Sequence, residues 1–185
     1  MLGLIRGLAD CDERFFAGWV LARAQIAVGS RADKYINTVV LQKPRKVVME
    51  VQGRRGGIVC QRLRTLLLLP RESLTAGHKR QILDSTMSKM SPSDFHHKFT
   101  QAEIDDYTAL SGDDNIIHKA SAGRVIVPGL CMVYFLQRKL KLKELHWTVS
   151  FLSPVFADDD VYFYKEDNCI LAYADNKSVF KIEVQ

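Results

Sequence analysis

Ser111-Gly112-Asp113-Asp114-Asn115-Ile116-Ile117-His118 is the stretch on which the reading of this chain turns. Thr100-Gln101-Ala102-Glu103, just before it, has the pattern of a capping box: a hydroxyl at the N-cap and a carboxylate three residues on. Ile104, Tyr107, Thr108 and Leu110 follow at roughly helical spacing, and Gly112 stops the helix. Beyond that stop stand two side chains able to move protons, Asp113 and His118. At 3.6 residues per turn, their spacing of five would place them on different faces of a helix. To act together they must sit on an irregular loop that turns both inward.

Downstream, Gly129 to Leu140 reads as a buried helix carrying Leu130, Met132, Val133, Phe135, Leu136 and Leu140. Strand-like runs follow. Leu145 to Leu152 ends near Pro154, Asp158-Asp159-Asp160 marks a turn, and Val161–Tyr164, Cys169–Ala174 and Ser178–Val184 complete the chain. Upstream, Glu13 to Gly29 is apolar round most of a helical circumference, which predicts one long buried helix. Three strands are expected after it, at Tyr35–Leu41 ending near Pro44, at Lys46–Val51, and at Ile58–Leu66. Pro70 to Pro92 reads as a polar connector with a short helix near Lys79–Met87, and Ser91-Pro92-Ser93-Asp94 as a break. Phe95 to Phe99 is then the first strand of a second half.

Both halves run in the same order: buried helix, strand ending at proline, meander. Gly18 and Gly129 lie 111 residues apart, and Pro44 and Pro154 lie 110 apart, without a residue-level repeat. The pattern predicts an α+β chain of two helix-wrapped antiparallel sheets, residues 1–90 and 91–185. A single sheet with one helix leaves edges that want a partner, and a pseudo-dimer within one chain would supply it.

The central stretch resembles the active-site segment of MaoC-like, (R)-specific enoyl-thioester hydratases and dehydratases of the hotdog fold. Ser111, Gly112, Asp113, Asn115 and His118 match that signature in register, Ile116 stands where the usual residue is proline, and Val127-Pro128-Gly129-Leu130 resembles the start of the family's central helix. Ten residues separate His118 from Gly129, fewer than the family normally has there. The resemblance implies a double hotdog whose second half is catalytic and whose first half is structural and substrate-holding. It implies hydration and dehydration of (R)-3-hydroxyacyl and trans-2-enoyl thioesters, carried by coenzyme A or acyl carrier protein, with no cofactor. His118 would take the proton alpha to the carbonyl, and Asp113 would serve the hydroxyl or water. Asn115 would orient the loop, and the Gly129 N–H would hold the thioester oxygen at a helix N-terminus. A non-catalytic acyl-thioester-binding hotdog protein and a hotdog thioesterase remain open beside this reading.

The bulk properties agree with a globular protein of 185 residues, 47% hydrophobic and 25% charged. No apolar run reaches the roughly 18 residues a spanning helix needs. Cys11, Cys60, Cys131 and Cys169 are scattered, which disfavours a disulfide framework or structural zinc, and a cytoplasmic setting is the default expectation. His96-His97 is a poor metal pair, because neighbours on a strand point to opposite faces. Residues 1–80 hold 15 Lys/Arg against 6 Asp/Glu, whereas residues 81–185 hold 11 against 15. A basic half beside an acidic one suits an anionic carrier. The basic stretch through Arg45, Lys46, Arg54, Arg55, Arg62 and Arg64 lacks interleaved exposed aromatics, which argues against nucleic acid. Further pairing of the pseudo-dimer into a homodimer is left open.

Overall fold

Antiparallel strands are the main element of the computed structural model, which describes residues 1–10, 18–70, 94–142 and 145–185. The elements are α1 (Leu2–Ala9), β1 (Val20–Val28), β2 (Lys34–Lys43), β3 (Lys46–Arg55), β4 (Ile58–Leu68), β5 (Phe95–Lys98), α2 (Gln101–Ser111), α3 (Gly129–Lys139), β6 (Leu145–Phe151), β7 (Asp160–Glu166), β8 (Cys169–Ala174) and β9 (Lys177–Val184). The nine strands form one sheet in the order β2-β3-β4-β1-β6-β9-β8-β7-β5. Four come from the first half of the chain and five from the second. They meet where β1 pairs antiparallel with β6, with Ala24 opposite Val149 and Ile26 opposite Trp147.

The expected helix over Glu13–Gly29 is not there: residues 20–28 are the central strand β1, and residues 11–17 lie outside the described residues. Ala24, Ile26 and Val28 are buried while Arg23 and Gln25, which alternate with them, are exposed, a period of two. With β4 on one side and β6 on the other, even the small and apolar residues of this run are covered by strands. A short apolar run of this kind cannot be told from a buried helix by periodicity alone. The helix of the first half is α1, eight residues long, with Leu4, Ile5 and Leu8 buried. It lies on β2 and β3 so closely that side chains at two positions are excluded. A Cβ at Gly3 would run into the Tyr35 ring, and one at Gly7 would lie 2.8 Å from Val51 Cγ1. Asn37 on β2 donates from Nδ2 to the Gly7 carbonyl at 2.8 Å, satisfying a carbonyl at the helix end.

The second half follows expectation more closely. Thr100 accepts from the Glu103 N–H at 3.3 Å, and the Glu103 carboxylate accepts from the Thr100 N–H at 2.9 Å, so the capping box closes. Gly112 ends α2 in the left-handed region at φ 77. Helix α3 lies over the sheet, with the Phe135 ring 6.5 Å from Phe95 and 6.1 Å from Phe163. The expected connector over Pro70–Pro92 and its short helix fall outside the described residues but for Pro70 itself.

Candidate active site

The loop after α2 turns its two titratable side chains toward each other. Gly112 reverses the chain, Asp113 follows, and a short 3-10 turn over Ile116–His118 carries the histidine. His118 Nε2 stands 3.6 Å from Asp113 Oδ2. Its other ring nitrogen, Nδ1, is 2.6 Å from the Ile126 carbonyl. A carbonyl only accepts, so Nδ1 carries the hydrogen and the Nε2 lone pair faces Asp113. Burial pushes the imidazole below its ordinary pKa, against the opposing pull of the Asp113 charge and the Ile126 carbonyl. The Asp113–His118 contact at neutral pH is therefore a neutral base beside a carboxyl group rather than an ion pair. At 3.6 Å it is also too long for a direct hydrogen bond.

Each partner is held from behind. The Asp113 N–H donates to Ser111 Oγ at 3.2 Å, and Asp113 Oδ1 accepts from the Asn115 N–H at 3.2 Å. Asn115 is buried, and its amide binds backbone on both sides of the molecule. Oδ1 accepts from the Ile117 N–H at 3.4 Å and the Gly18 N–H at 3.2 Å, while Nδ2 donates to the Trp19 carbonyl at 2.8 Å. The Asp113–His118 loop is thus tied to the chain leading into β1. Ile126 is fixed as well. Its N–H donates to the Ile117 carbonyl at 3.0 Å, and Val127 donates to Val155 at 2.8 Å. Asp114, which the signature leaves without a counterpart, faces solvent and pairs with Lys119 at 2.8 Å.

Asp113, Asn115, His118 and Gly129 all line one cavity of about 270 Å³. Gly129 opens α3, whose N-cap Pro128 gives no side-chain cap. The Cys131 N–H bonds back to the Pro128 carbonyl at 2.9 Å, and the first N–H groups of a helix have no partner within it. A Cβ at Gly129 would lie 2.8 Å from the Phe151 ring, so glycine is what lets this ring close over the helix start. The rest of the wall is mostly apolar, from Trp19, Leu21, Leu67, Met132 and Phe151. It draws on α1, β1 and β4 of the first half and on α3 and β6 of the second. Sequence reading missed Trp19 and Leu21, placing both on a helix. It also missed the Ile126 carbonyl, for which a sequence holds no signal.

Among the described residues no group of three or more His, Cys, Asp or Glu is placed to hold a metal ion. His96 stacks on Tyr162 and His97 on Phe135, on opposite sides of β5. No helix among the described residues is long and apolar enough to cross a membrane.

No protein-family model matches the chain, and no curated protein matches it in sequence. Solved structures do. HtdX from Mycobacterium tuberculosis is similar with a TM-score of 0.68 at 18% identity, over 100% of this chain and 83% of that one. A MaoC-like dehydratase from Phytophthora capsici is similar with a TM-score of 0.57 at 17% identity, over 91% and 72%. An acyl-ACP thioesterase from Bacteroides thetaiotaomicron is similar with a TM-score of 0.55 at 9% identity, over 90% and 75%. At these identities the likeness is one of fold: the chain has the α+β hotdog fold, as HtdX and the MaoC-like dehydratases do.

Proposed function

We propose that this protein is a double hotdog, with halves at residues 1–90 and 91–185, that hydrates trans-2-enoyl thioesters and dehydrates (R)-3-hydroxyacyl thioesters. The single observation that carries the reading is the His118 tautomer. Nδ1–H is spent on Ile126, and the basic Nε2 faces Asp113 across 3.6 Å at the wall of an apolar cavity. In hydration, the Asp113 carboxylate takes a proton from a water on the cavity side as the water oxygen bonds to the β carbon, and His118 Nε2 delivers a proton to the α carbon. OH and H thus add across the double bond, and one proton passing from Asp113 back to His118 resets the pair. In dehydration, neutral His118 removes the α proton while the Asp113 carboxyl group delivers a proton to the departing hydroxyl, which leaves as water. The N-terminal N–H groups of α3 stabilise charge on the thioester oxygen, aided by the helix dipole. Asn115 is a positioning residue in this scheme, since it links the loop to Gly18 and Trp19. The apolar wall takes the acyl chain, and coenzyme A or acyl carrier protein is the handle. Cys60, Cys131 and Cys169 are free thiols, which suits a reducing compartment such as the cytoplasm.

The test is loss of enoyl absorbance when the purified protein meets crotonyl-CoA in water. Hydration supports the reading, and no hydration with crotonyl-CoA and crotonyl-ACP alike overturns it. A thioesterase is the second reading, because a thioesterase shares the fold and fold alone does not choose the reaction. It predicts release of free thiol, which a thiol reagent detects and hydration does not produce. A non-catalytic binder would be stabilised by acyl-CoA in proportion to RT ln(1 + [L]/Kd) and turn over neither substrate.

A further inference from the structure

A second depression, of about 150 Å³, lies on the sheet among Arg23, Gln25, Lys46, Val48, Arg64 and Leu66. Three of these are exposed cations. Strand register explains why they converge: Gln25 sits opposite Arg64, Arg23 opposite Leu66, and Lys46 opposite Leu68. Among the described residues Arg23, Lys46 and Arg64 make no ion pair, and no carboxylate lines the depression. The two nearby acids are already engaged. Glu50, opposite Arg64, accepts from Gln52 at 2.7 Å and pairs with Arg62 at 3.6 Å. Glu183, within reach of the Arg23 field, pairs with Lys181 at 2.9 Å. Three unpaired cations around one hollow make a local positive potential that attracts anions, phosphates above all.

The position of this cleft is informative. Ala22 lines the proposed acyl cavity and Arg23 the cleft; Leu67 lines the cavity and Leu66 the cleft. Leu68, opposite Lys46, also lines the cavity. One residue step, about 3.3 Å, thus separates the two linings on each of two paired strands. Leu67 and Leu68 at the end of β4 both line the cavity although consecutive strand side chains point to opposite faces, while on β1 a bulge between Leu21 and Arg23 brings Leu21 and Ala22 to the cavity together. The cavity therefore reaches the rim of the sheet, and the cationic cleft begins just over it. The cleft's apolar members, Val48 and Leu66, are aliphatic, so it has no aromatic platform for stacked bases of single-stranded nucleic acid.

We infer that the cleft of Arg23, Lys46 and Arg64 binds phosphate groups of the phosphopantetheine handle of an acyl thioester whose acyl end occupies the cavity. The choice of acyl group rests on the hydratase reading; the phosphate site itself does not. The shared chemistry is a pantetheine phosphate, present on coenzyme A and on acyl carrier protein.

The experiment compares the protein with a triple variant, Arg23→Gln, Lys46→Gln and Arg64→Gln. The control is Arg31→Gln, Lys34→Gln and Arg55→Gln, which removes the same charge from exposed positions away from the cleft. Substrates are crotonyl-CoA, crotonyl-ACP and crotonyl-pantetheine, which has the same reacting end without phosphate. The cleft variant should raise KM for a phosphate-bearing substrate about tenfold or more, with kcat within about twofold and the crotonyl-pantetheine KM little moved. A rise with both carriers assigns the cleft to the phosphate they share and supports the site; a rise with coenzyme A alone assigns it to the nucleotide phosphates and overturns the assignment to the handle. No rise with either, or an equal rise in the control, overturns it. Calorimetric titration with free coenzyme A decides the matter even if no thioester is hydrated. A Kd weakened about tenfold in the cleft variant but not in the control sustains the phosphate site while the hydratase reading falls. An unchanged Kd together with unchanged KM values removes the site.

Discussion

Asp113 and His118 share one polar gap, so their contributions should not add. On the proposed mechanism Asp113→Asn removes the acid and His118→Ala the base, and each is expected to lower turnover of a crotonyl thioester about 100-fold or more. The double variant should be little worse than either, because groups acting as one unit fail together. Asp114→Asn is the comparison, since that carboxylate faces solvent and Lys119. Activity lost in Asp114→Asn and kept in Asp113→Asn would show that the loop register has been misassigned. The pH dependence has a definite sign. Burial lowers the His118 pKa from 6.5, so the neutral base survives to lower pH than a free imidazole would. The acid limb of kcat/KM should therefore lie below 6.5. The same shift bears on stability: the unfolded chain takes up a proton on this histidine near pH 6.5, before the folded one does. His118 thus contributes stability above that pH and loses it as pH falls through the folded value. Urea midpoints at neutral and mildly acid pH should drop further in the natural sequence than in His118→Gln.

At the scale of the elements, α1 offers a case where two effects oppose. Replacing a helical glycine with alanine normally stabilises by about 1 kcal/mol. At Gly7 the new methyl would lie 2.8 Å from Val51 Cγ1, in a strand whose Val51 is wholly buried. Overpacking of this kind costs about 1–3 kcal/mol, so it should win. Gly7→Ala is expected to lower the urea midpoint, and a raised midpoint would mean that α1 lifts off β3 at little cost. The capping box of α2 is, by contrast, a local device whose partners lie three residues apart in sequence. Its signal is complete in the sequence, because Thr100 and Glu103 need nothing from the rest of the chain. The strand β1 has no such signal. Its neighbours β4 and β6 lie far away in sequence, and only their cover makes an apolar run of this length a strand.

For the whole molecule, the sheet is continuous through the β1–β6 pairing, so the two halves are expected to unfold together. Ile26 is buried and sits opposite Leu63 on one side and Trp147 on the other. Ile26→Ala should cost about 2–5 kcal/mol, as other deletions of buried branched side chains do. In a Trp19→Phe background, fluorescence of Trp147, in the second half, and far-ultraviolet circular dichroism should still report one coincident transition in urea. Two resolved transitions would mean that the halves are independent domains that merely touch.

By itself the sequence carried α2 with both its ends, the helix from Gly129, the strands of the second-half meander, and the Ser111–His118 signature with its acid and base. Each of these rests on side chains close together in the chain or on a motif whose members are consecutive. The tertiary structure alone decided three other things. It made residues 20–28 a strand and placed the helix of the first half at Leu2–Ala9, because burial by distant neighbours outweighs local apolar periodicity. It chose the His118 tautomer through the Ile126 carbonyl, and it fastened the loop through Asn115 to Gly18 and Trp19, 97 and 96 residues away. It also put the cavity where two halves meet, walled by Trp19 and Leu67 from one and Gly129 and Phe151 from the other. A site of that kind is formed by contacts between residues remote in sequence, and their chain-local patterns carry no trace of who will face whom.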